Sequence, residues 1–230
     1  MILPTGFGLT RTRRLPAFRI LDRSYPPARL VKTMLDTRGW KIVRSRGGLT
    51  TLSIDGALLT MHTPRATTVI WEWFEVWEKH YLPPSDLKGK TVLDVGAGCG
   101  ETACFFFRHG AKKVICVEID PDQNKLAQFN SAINGWNAEV VGRGFELEDL
   151  RSDVDYMKMD CEGCEAALLL GREMPAFPHV IELHGQELLE GFMRTGRFRV
   201  AAQGRNPIIR ADGLEAKPRL DVPLVLAEGA

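Results

Sequence analysis

The chain has 230 residues, 44% hydrophobic and 26% charged, with a formal net charge of +1. This is the composition of an ordinary globular protein with enough length for a full α/β core. No apolar run approaches the ~18 residues that a membrane span requires. No apolar segment follows the N-terminal arginines, so a secretory signal is not expected, and the five cysteines read as reduced thiols of a cytoplasmic protein.

The small net charge conceals an asymmetry. Residues 1–50 carry 11 Lys/Arg against Asp22 and Asp36, a balance of +9, which leaves −8 on the other 180 residues. A basic arm beside an acidic body either grips a polyanion such as RNA or lies solvated against its own domain. Residues 1–30, with Pro4, Pro16, Pro26 and Pro27, read as an irregular arm. Strands are then expected at Lys41 to Arg44, Leu49 to Ile54 and Ala57 to Met61, with Asp55-Gly56 as a two-residue hairpin turn. Thr63-Pro64 opens a helix, with Thr63 able to cap it and Pro64 suited to its first turn. Ile70, Trp71, Phe74 and Trp77 recur on it at helical spacing and read as core packing.

The stretch Thr91-Val92-Leu93-Asp94-Val95-Gly96-Ala97-Gly98-Cys99-Gly100-Glu101 organises the rest of the chain. It reads as a buried strand, a glycine-rich turn and the start of a helix that runs to about His109. Glycines at such a turn let a ligand lie against bare backbone amides. Val114 to Val117 is a second strand that ends at Glu118, 22 residues beyond Gly96, where a ribose-binding carboxylate belongs in a βαβ nucleotide site. Glu118 could otherwise cap the next turn, and Asp94 could simply brace the loop. Pro121 to Asn134 is a helix stopped by Gly135, and Ala138 to Val141 is a third strand. Further strands are expected at Val154 to Met159, His179 to Leu183, Phe198 to Ala202 and Val222 to Leu226, separated by short helices at Glu165 to Leu170 and Gln186 to Met193. The alternation implies right-handed crossovers in a doubly wound, mostly parallel seven-stranded Rossmann-like sheet with a small N-terminal β-hairpin cap.

Ligands of open α/β sheets sit at the carboxyl ends of the strands. That edge collects Asp94 with the glycine turn, Glu118, Asp160 with Glu162, and Glu182 with His184. The turn lacks the G-x-G-x-x-G spacing of a dinucleotide site, and Glu101 in the first helical turn would repel a pyrophosphate while tolerating an ammonium or sulfonium. The Asp-x-Gly-x-Gly-x-Gly pattern from Asp94 to Gly100 resembles motif I of class I S-adenosylmethionine-dependent methyltransferases, and Glu118 matches their ribose-binding acid. Tyr156-Met157-Lys158-Met159-Asp160-Cys161-Glu162-Gly163-Cys164-Glu165 resembles the K-I-D-x-E-G-x-E signature of the FkbM family, and Ile181-Glu182-Leu183-His184 its following E-x-H strand. The resemblance covers about residues 90–200. It implies S-adenosylmethionine as cofactor over residues 63–230, behind an arm and cap at 1–62, and O-methylation of a hydroxyl on a small molecule or glycoside.

The expected cofactor-binding set is Asp94, Gly96, Ala97, Gly98, Gly100, Glu101, Glu118, Ile119, Phe145 and Asp160. Methyl transfer to a hydroxyl needs alignment and removal of one proton. His184 is the expected general base, with Asp160 as rival or orienter and Glu182 beside them. A divalent ion held by Asp160, Glu162 and Glu182 is an unfavoured third route, and a satisfied structural histidine is the plain alternative for His184. Cys161 and Cys164 lack the two further ligands of a zinc site. An RNA methyltransferase using the basic arm and a non-catalytic cofactor-binding protein remain the alternative readings.

Overall fold

The computed structural model describes residues 19–20, 23–24, 35–83, 85–170, 175–195, 197–203 and 206–211. Most of the basic arm and the strand expected at Val222 to Leu226 lie outside them. Within the arm expected to be irregular, Arg19–Ile20 and Arg23–Ser24 pair as a short antiparallel ribbon. Three longer antiparallel strands follow: β1 (Lys41–Arg46), β2 (Leu49–Ile54) and β3 (Ala57–His62). Asp55 and Gly56 both have positive φ, which is what a tight hairpin turn matching the strand twist requires. Helix α1 (Thr63–Glu72) follows, with Pro64 in its first turn. His62, not Thr63, occupies the cap position. The Thr63 hydroxyl instead accepts from Thr50 Oγ1 at 3.1 Å, so the β2 side chain takes the oxygen that would have capped the helix.

From Trp73 to Tyr81 the helix widens into a π-helix, a rare form associated with functional sites. The aromatic residues pack in sequence, with ring centroids 5.0 Å apart for Trp40 and Trp73, 5.5 Å for Trp73 and Trp77 and 6.4 Å for Trp77 and Tyr81. Of the expected stripe, Ile70 and Trp77 are buried while Trp71 and Phe74 are half-buried against the core, and Trp73, outside that stripe, is buried instead; Tyr81 stands at the far end of the ladder.

The main sheet comprises β4 (Thr91–Val95), β5 (Lys113–Val117), β6 (Ala138–Val141), β7 (Tyr156–Met159), β8 (His179–Glu182), β9 (Arg199–Ala202) and β10 (Ile208–Ala211). Helices α2 (Glu101–Arg108), α3 (Pro121–Asn134), α4 (Ala166–Leu170) and α5 (Gln186–Arg194) connect them. The strand order is β9-β10-β8-β7-β4-β5-β6, parallel except for β10, which pairs antiparallel with both neighbours. Alternate side chains serve opposite faces. Val92, Val114, Cys116, Tyr156 and Val180 pack with α1, its π-helical extension and α2, while Leu93, Val95, Ile115, Met157, Met159 and Ile181 pack with α4 and α5.

Two expectations are corrected by these elements. The strand β10 escapes sequence reading because its four residues contain Arg210, which is nevertheless buried and donates to the Leu82 carbonyl. Cys161 and Cys164 are joined as a disulfide, with Cα atoms 5.6 Å apart across the turn at Gly163, so they are not reduced thiols. Cys99, Cys104 and Cys116 are free and buried.

The chain reverses strand order between β4 and β7, so their carboxyl ends diverge into opposite crossovers and open a crevice. Gly96, at φ +72°, lies so close to the neighbouring strand end that a Cβ would stand 1.8 Å from the Asp160 carbonyl oxygen. Gly135, at φ +63°, has open space around it. Gly135→Ala should therefore cost only the backbone term, about 1 kcal/mol, and Gly96→Ala distinctly more. Urea unfolding of both variants checks this; equal losses would show that the Gly96–Asp160 approach is easily relaxed.

Candidate active site

A cavity of about 590 Å³ opens at this crevice. Of the residues expected at the site, Gly96, Gly98, Glu101, Glu118, Ile119, Phe145, Asp160, Glu162, Glu182 and His184 line it. Asp94, Ala97 and Gly100 are not among the lining residues. Asp94 is buried below the turn, where the Lys158 ammonium lies 3.1 Å from its Oδ1 and the Thr102 hydroxyl donates to its Oδ2. Burial disfavours the Lys158 charge, but Asp94 more than compensates and raises its pKa. Lys158 Nζ also donates to the carbonyls of Gly96 (2.7 Å) and Val95 (3.2 Å). Asp94 thus braces the turn through Lys158, a bridge that the spacing of the two residues does not announce.

One end of the cavity carries the glycine turn. Glu118 Oε2 accepts from the Gly98 N–H and Oε1 from the Asp120 N–H, both at 2.8 Å, so the carboxylate is held between the turn and the start of α3. Glu101 is almost fully buried. Its Oε1 accepts from Arg65 Nε at 2.9 Å, while Oε2 has no hydrogen-bond partner among the described residues. Burial works against ionising Glu101, but Arg65 and the Cys99 thiol outweigh it and hold the carboxyl below its usual range.

The other end is an acid cluster. The Tyr81 hydroxyl lies 3.0 Å from both Asp160 Oδ2 and Glu182 Oε2. Burial and these two acids push the phenol well above its ordinary pKa, so it stays a donor, and its single proton serves one carboxylate at a time. Sequence reasoning misses Tyr81, because its role needs the π-helical turn, which residue spacing on an α-helix does not encode.

His184 Nδ1 lies 2.7 Å from Oε1 of the fully buried Glu165, and its Nε2 lies 3.5 Å from both Asp160 and Glu162. Burial opposes charging the imidazole, but the Glu165 hydrogen bond and the charge of Asp160 overcome it and raise its pKa to about 9. The raised pKa favours the imidazolium at neutral pH, and both ring nitrogens already face carboxylates. Asp160, Glu182 and His184 bring potential ligand atoms within 4.8 Å of one another. A metal there would have to displace the proton from His184, and the set differs from the expected one in having His184 in place of Glu162.

These features define the Rossmann-like α/β fold of class I S-adenosylmethionine-dependent methyltransferases. The chain is 26% identical over 175 residues to the ribosomal protein L11 methyltransferase of Histophilus somni (strain 2336), across 75% of this chain and 54% of that protein. It is 30% identical over 134 residues to that of Pelotomaculum thermopropionicum, across 58% of this chain and 41% of that protein. The chain spans about half the length of the curated relatives it matches. Among solved structures, a 16S rRNA N2 G1207 methyltransferase of T. thermophilus matches with a TM-score of 0.50 at 17% identity, over 81% of this chain and 61% of that one. No family model matches the chain. Among the described residues no helix is long and apolar enough to cross a membrane.

The raised His184 pKa couples the site to stability. A histidine near 6.5 in the unfolded chain and about 9 in the folded one contributes stability that is fully present below pH 6.5 and is lost as pH rises to about 9. Unfolding free energy should decline over that window, and His184→Gln should remove that part of the slope. An unchanged slope in the variant would show that His184 is neutral in the folded protein.

Proposed function

We propose that the chain is an S-adenosylmethionine-dependent methyltransferase acting on a hydroxyl of a small molecule or glycoside. One observation carries the reading: a single cavity joins a glycine turn with two anchored carboxylates, Glu101 and Glu118, to the acid cluster around Tyr81. The buried, unpartnered Oε2 of Glu101 suits an ammonium, and Glu118 suits ribose hydroxyls. Ile119 and Phe145 offer apolar surface to an adenine. The cofactor, when bound, supplies a methyl group activated on a sulfonium.

The chain's own residues then need only align the acceptor and take its proton. With His184 charged, Asp160 is the base we assign: its carboxylate lines the cavity between Tyr81 and His184. Glu182, almost fully buried, holds Tyr81 from behind. The imidazolium of His184 offsets part of the negative charge and keeps Asp160 oriented. The resemblance of Lys158 to Glu165 and of Glu182 to His184 to the FkbM signature supports an O-linked acceptor.

The names of the relatives instead suggest a ribosomal protein or RNA acceptor, which is the second reading. The acid-rich acceptor end weighs against a phosphate close to the reacting group. Arg38, a described member of the basic segment, is already paired with Glu78 at 3.0 Å and stacked over Phe74.

Titration calorimetry with S-adenosylmethionine, S-adenosylhomocysteine and NAD tests the cofactor. The two sulfur nucleosides should bind, and Glu118→Ala should weaken both roughly tenfold or more; binding of NAD alone would overturn the reading. Methyl-label transfer to hydroxylated metabolites, glycosides, ribosomal protein L11 and rRNA then tests the acceptor. Transfer to a glycoside or small hydroxyl that is lost in Asp160→Asn supports the assignment, and transfer to L11 or rRNA alone replaces it.

A further inference from the structure

The turn between β7 and α4 carries a covalent feature that the proposed reaction does not use. Cys161 follows Asp160, Cys164 precedes Glu165, and the disulfide joining the two cysteines lines the cavity. The residues they bracket, Glu162 and Gly163, are exposed. Glu162 takes a left-handed backbone at φ +57°, which residues with a Cβ adopt at a cost. Its carboxylate in that conformation lies 3.5 Å from His184 Nε2. Across the disulfide, Glu165 Oε1 lies 2.7 Å from His184 Nδ1 and accepts from the Cys161 N–H at 3.3 Å. The turn is thus closed twice, once by sulfur and once by a long hydrogen bond, and the sulfur closure is the stronger.

The two flanks of the turn are anchored differently. Before it, the Asp160 N–H donates to the Val95 carbonyl at 3.0 Å, and the Asp160 carbonyl abuts Gly96. That end of β7 stays fixed whatever the state of the sulfurs. After it, Glu165 leads into a helix of only five residues. Opening the disulfide therefore frees Glu162 and Glu165 relative to His184 without loosening the glycine turn. The other cysteines do not compete for a thiol reagent. Cys99, Cys104 and Cys116 are fully buried, and burial pushes each thiol up, that of Cys104 to about 12. With Asp160, Glu162 and Glu165 close by, thiols released at 161 and 164 are held neutral. The pair is a target of exchange, not a thiol catalyst.

We propose that Cys161–Cys164 is a reversible thiol–disulfide exchange site that sets the acceptor end of the cavity, with a dithiol as its reductant. Closed, it holds Glu162 and Glu165 on His184; opened, it lets the turn relax while the glycine-turn end keeps its shape. In the exchange a reductant thiolate attacks one sulfur, the Cys161–Cys164 bond breaks, and the departing sulfur takes a proton. The reductant's second thiol then resolves the mixed disulfide. The reductant ends oxidised to its own disulfide, and the protein gains two electrons and two protons as two thiols. The proposal rests on the function proposed above only in naming that end of the cavity the acceptor's.

The test treats the full chain with dithiothreitol under native conditions and then with iodoacetamide. Reduction should label Cys161 and Cys164 and leave the three buried cysteines unlabelled until the protein is unfolded. Amide hydrogen exchange over residues 161–165 should rise roughly tenfold on losing this short-loop closure, while exchange over 94–101 stays within about twofold. Calorimetry with S-adenosylhomocysteine should give affinities within about twofold in the two states. Reoxidation should restore slow exchange, and Cys161→Ser/Cys164→Ser should exchange like the reduced form with or without dithiothreitol. A disulfide that dithiothreitol does not open in the folded protein overturns the proposal, and so does reduction that leaves exchange over 161–165 unchanged. Equal loosening of 94–101 with loss of S-adenosylhomocysteine affinity also overturns it, since the disulfide would then staple the whole site. A wild type that binds no S-adenosylhomocysteine overturns the cofactor reading alone, because labelling and exchange are read without a ligand.

Discussion

The site depends on the close approach of two strand ends, β4 at Gly96 and β7 at Asp160. Nothing with a Cβ fits at Gly96, and the contact is backbone against backbone. Lys158 fixes it from below, one ammonium bound to the Asp94 carboxylate and to two carbonyls of the turn. A buried charge is tolerated here because a carboxylate and two carbonyls face it, and removing either charge of the pair would leave the other stranded. The turn is thereby held rigid while its upper surface stays bare. A binding edge made of backbone needs such a support, because it has no side chains of its own to lock it.

Around that pivot the two ends of the cavity have opposite electrostatic character. Near the turn, charges are matched closely and one oxygen is left over. At the far end Asp160, Glu162, Glu165 and Glu182 gather around a single imidazole and a phenol. The accumulation is sustained by protons: the acids draw one onto His184 and compete for the one on Tyr81. The neighbours of His184 favour its charged form, with carboxylates facing both ring nitrogens.

Both ends are completed from the N-terminal part of the chain. Arg65 and Tyr81 sit on one helix, 16 residues apart, and reach opposite ends of the same cavity. The switch from α to π geometry after Glu72 changes the helical phase between them. The aromatic ladder from Trp40 through Trp73 and Trp77 secures that phase against α2, where Phe105 packs edge-on to Trp73 and Trp77. Trp77, read as core from the aromatic spacing, is therefore also part of what aims Tyr81.

Local sequence determined a good deal of this protein by itself. Alternating apolar runs, the Asp55-Gly56 turn, Pro64, Pro121 and Gly135 mark most strands and helix ends, because backbone preference and hydrophobic period act over a few residues. The glycine turn and the acids at the strand ends were legible for the same reason, since a parallel sheet sends every strand's carboxyl end to one edge. Sequence could not decide the pairing of side chains across that edge. The meeting of Lys158 with Asp94, Arg65 with Glu101, Glu165 with His184 and Tyr81 with two acids joins residues 19 to 101 positions apart. Their charge states follow from burial and from those partners, which only the tertiary structure brings together.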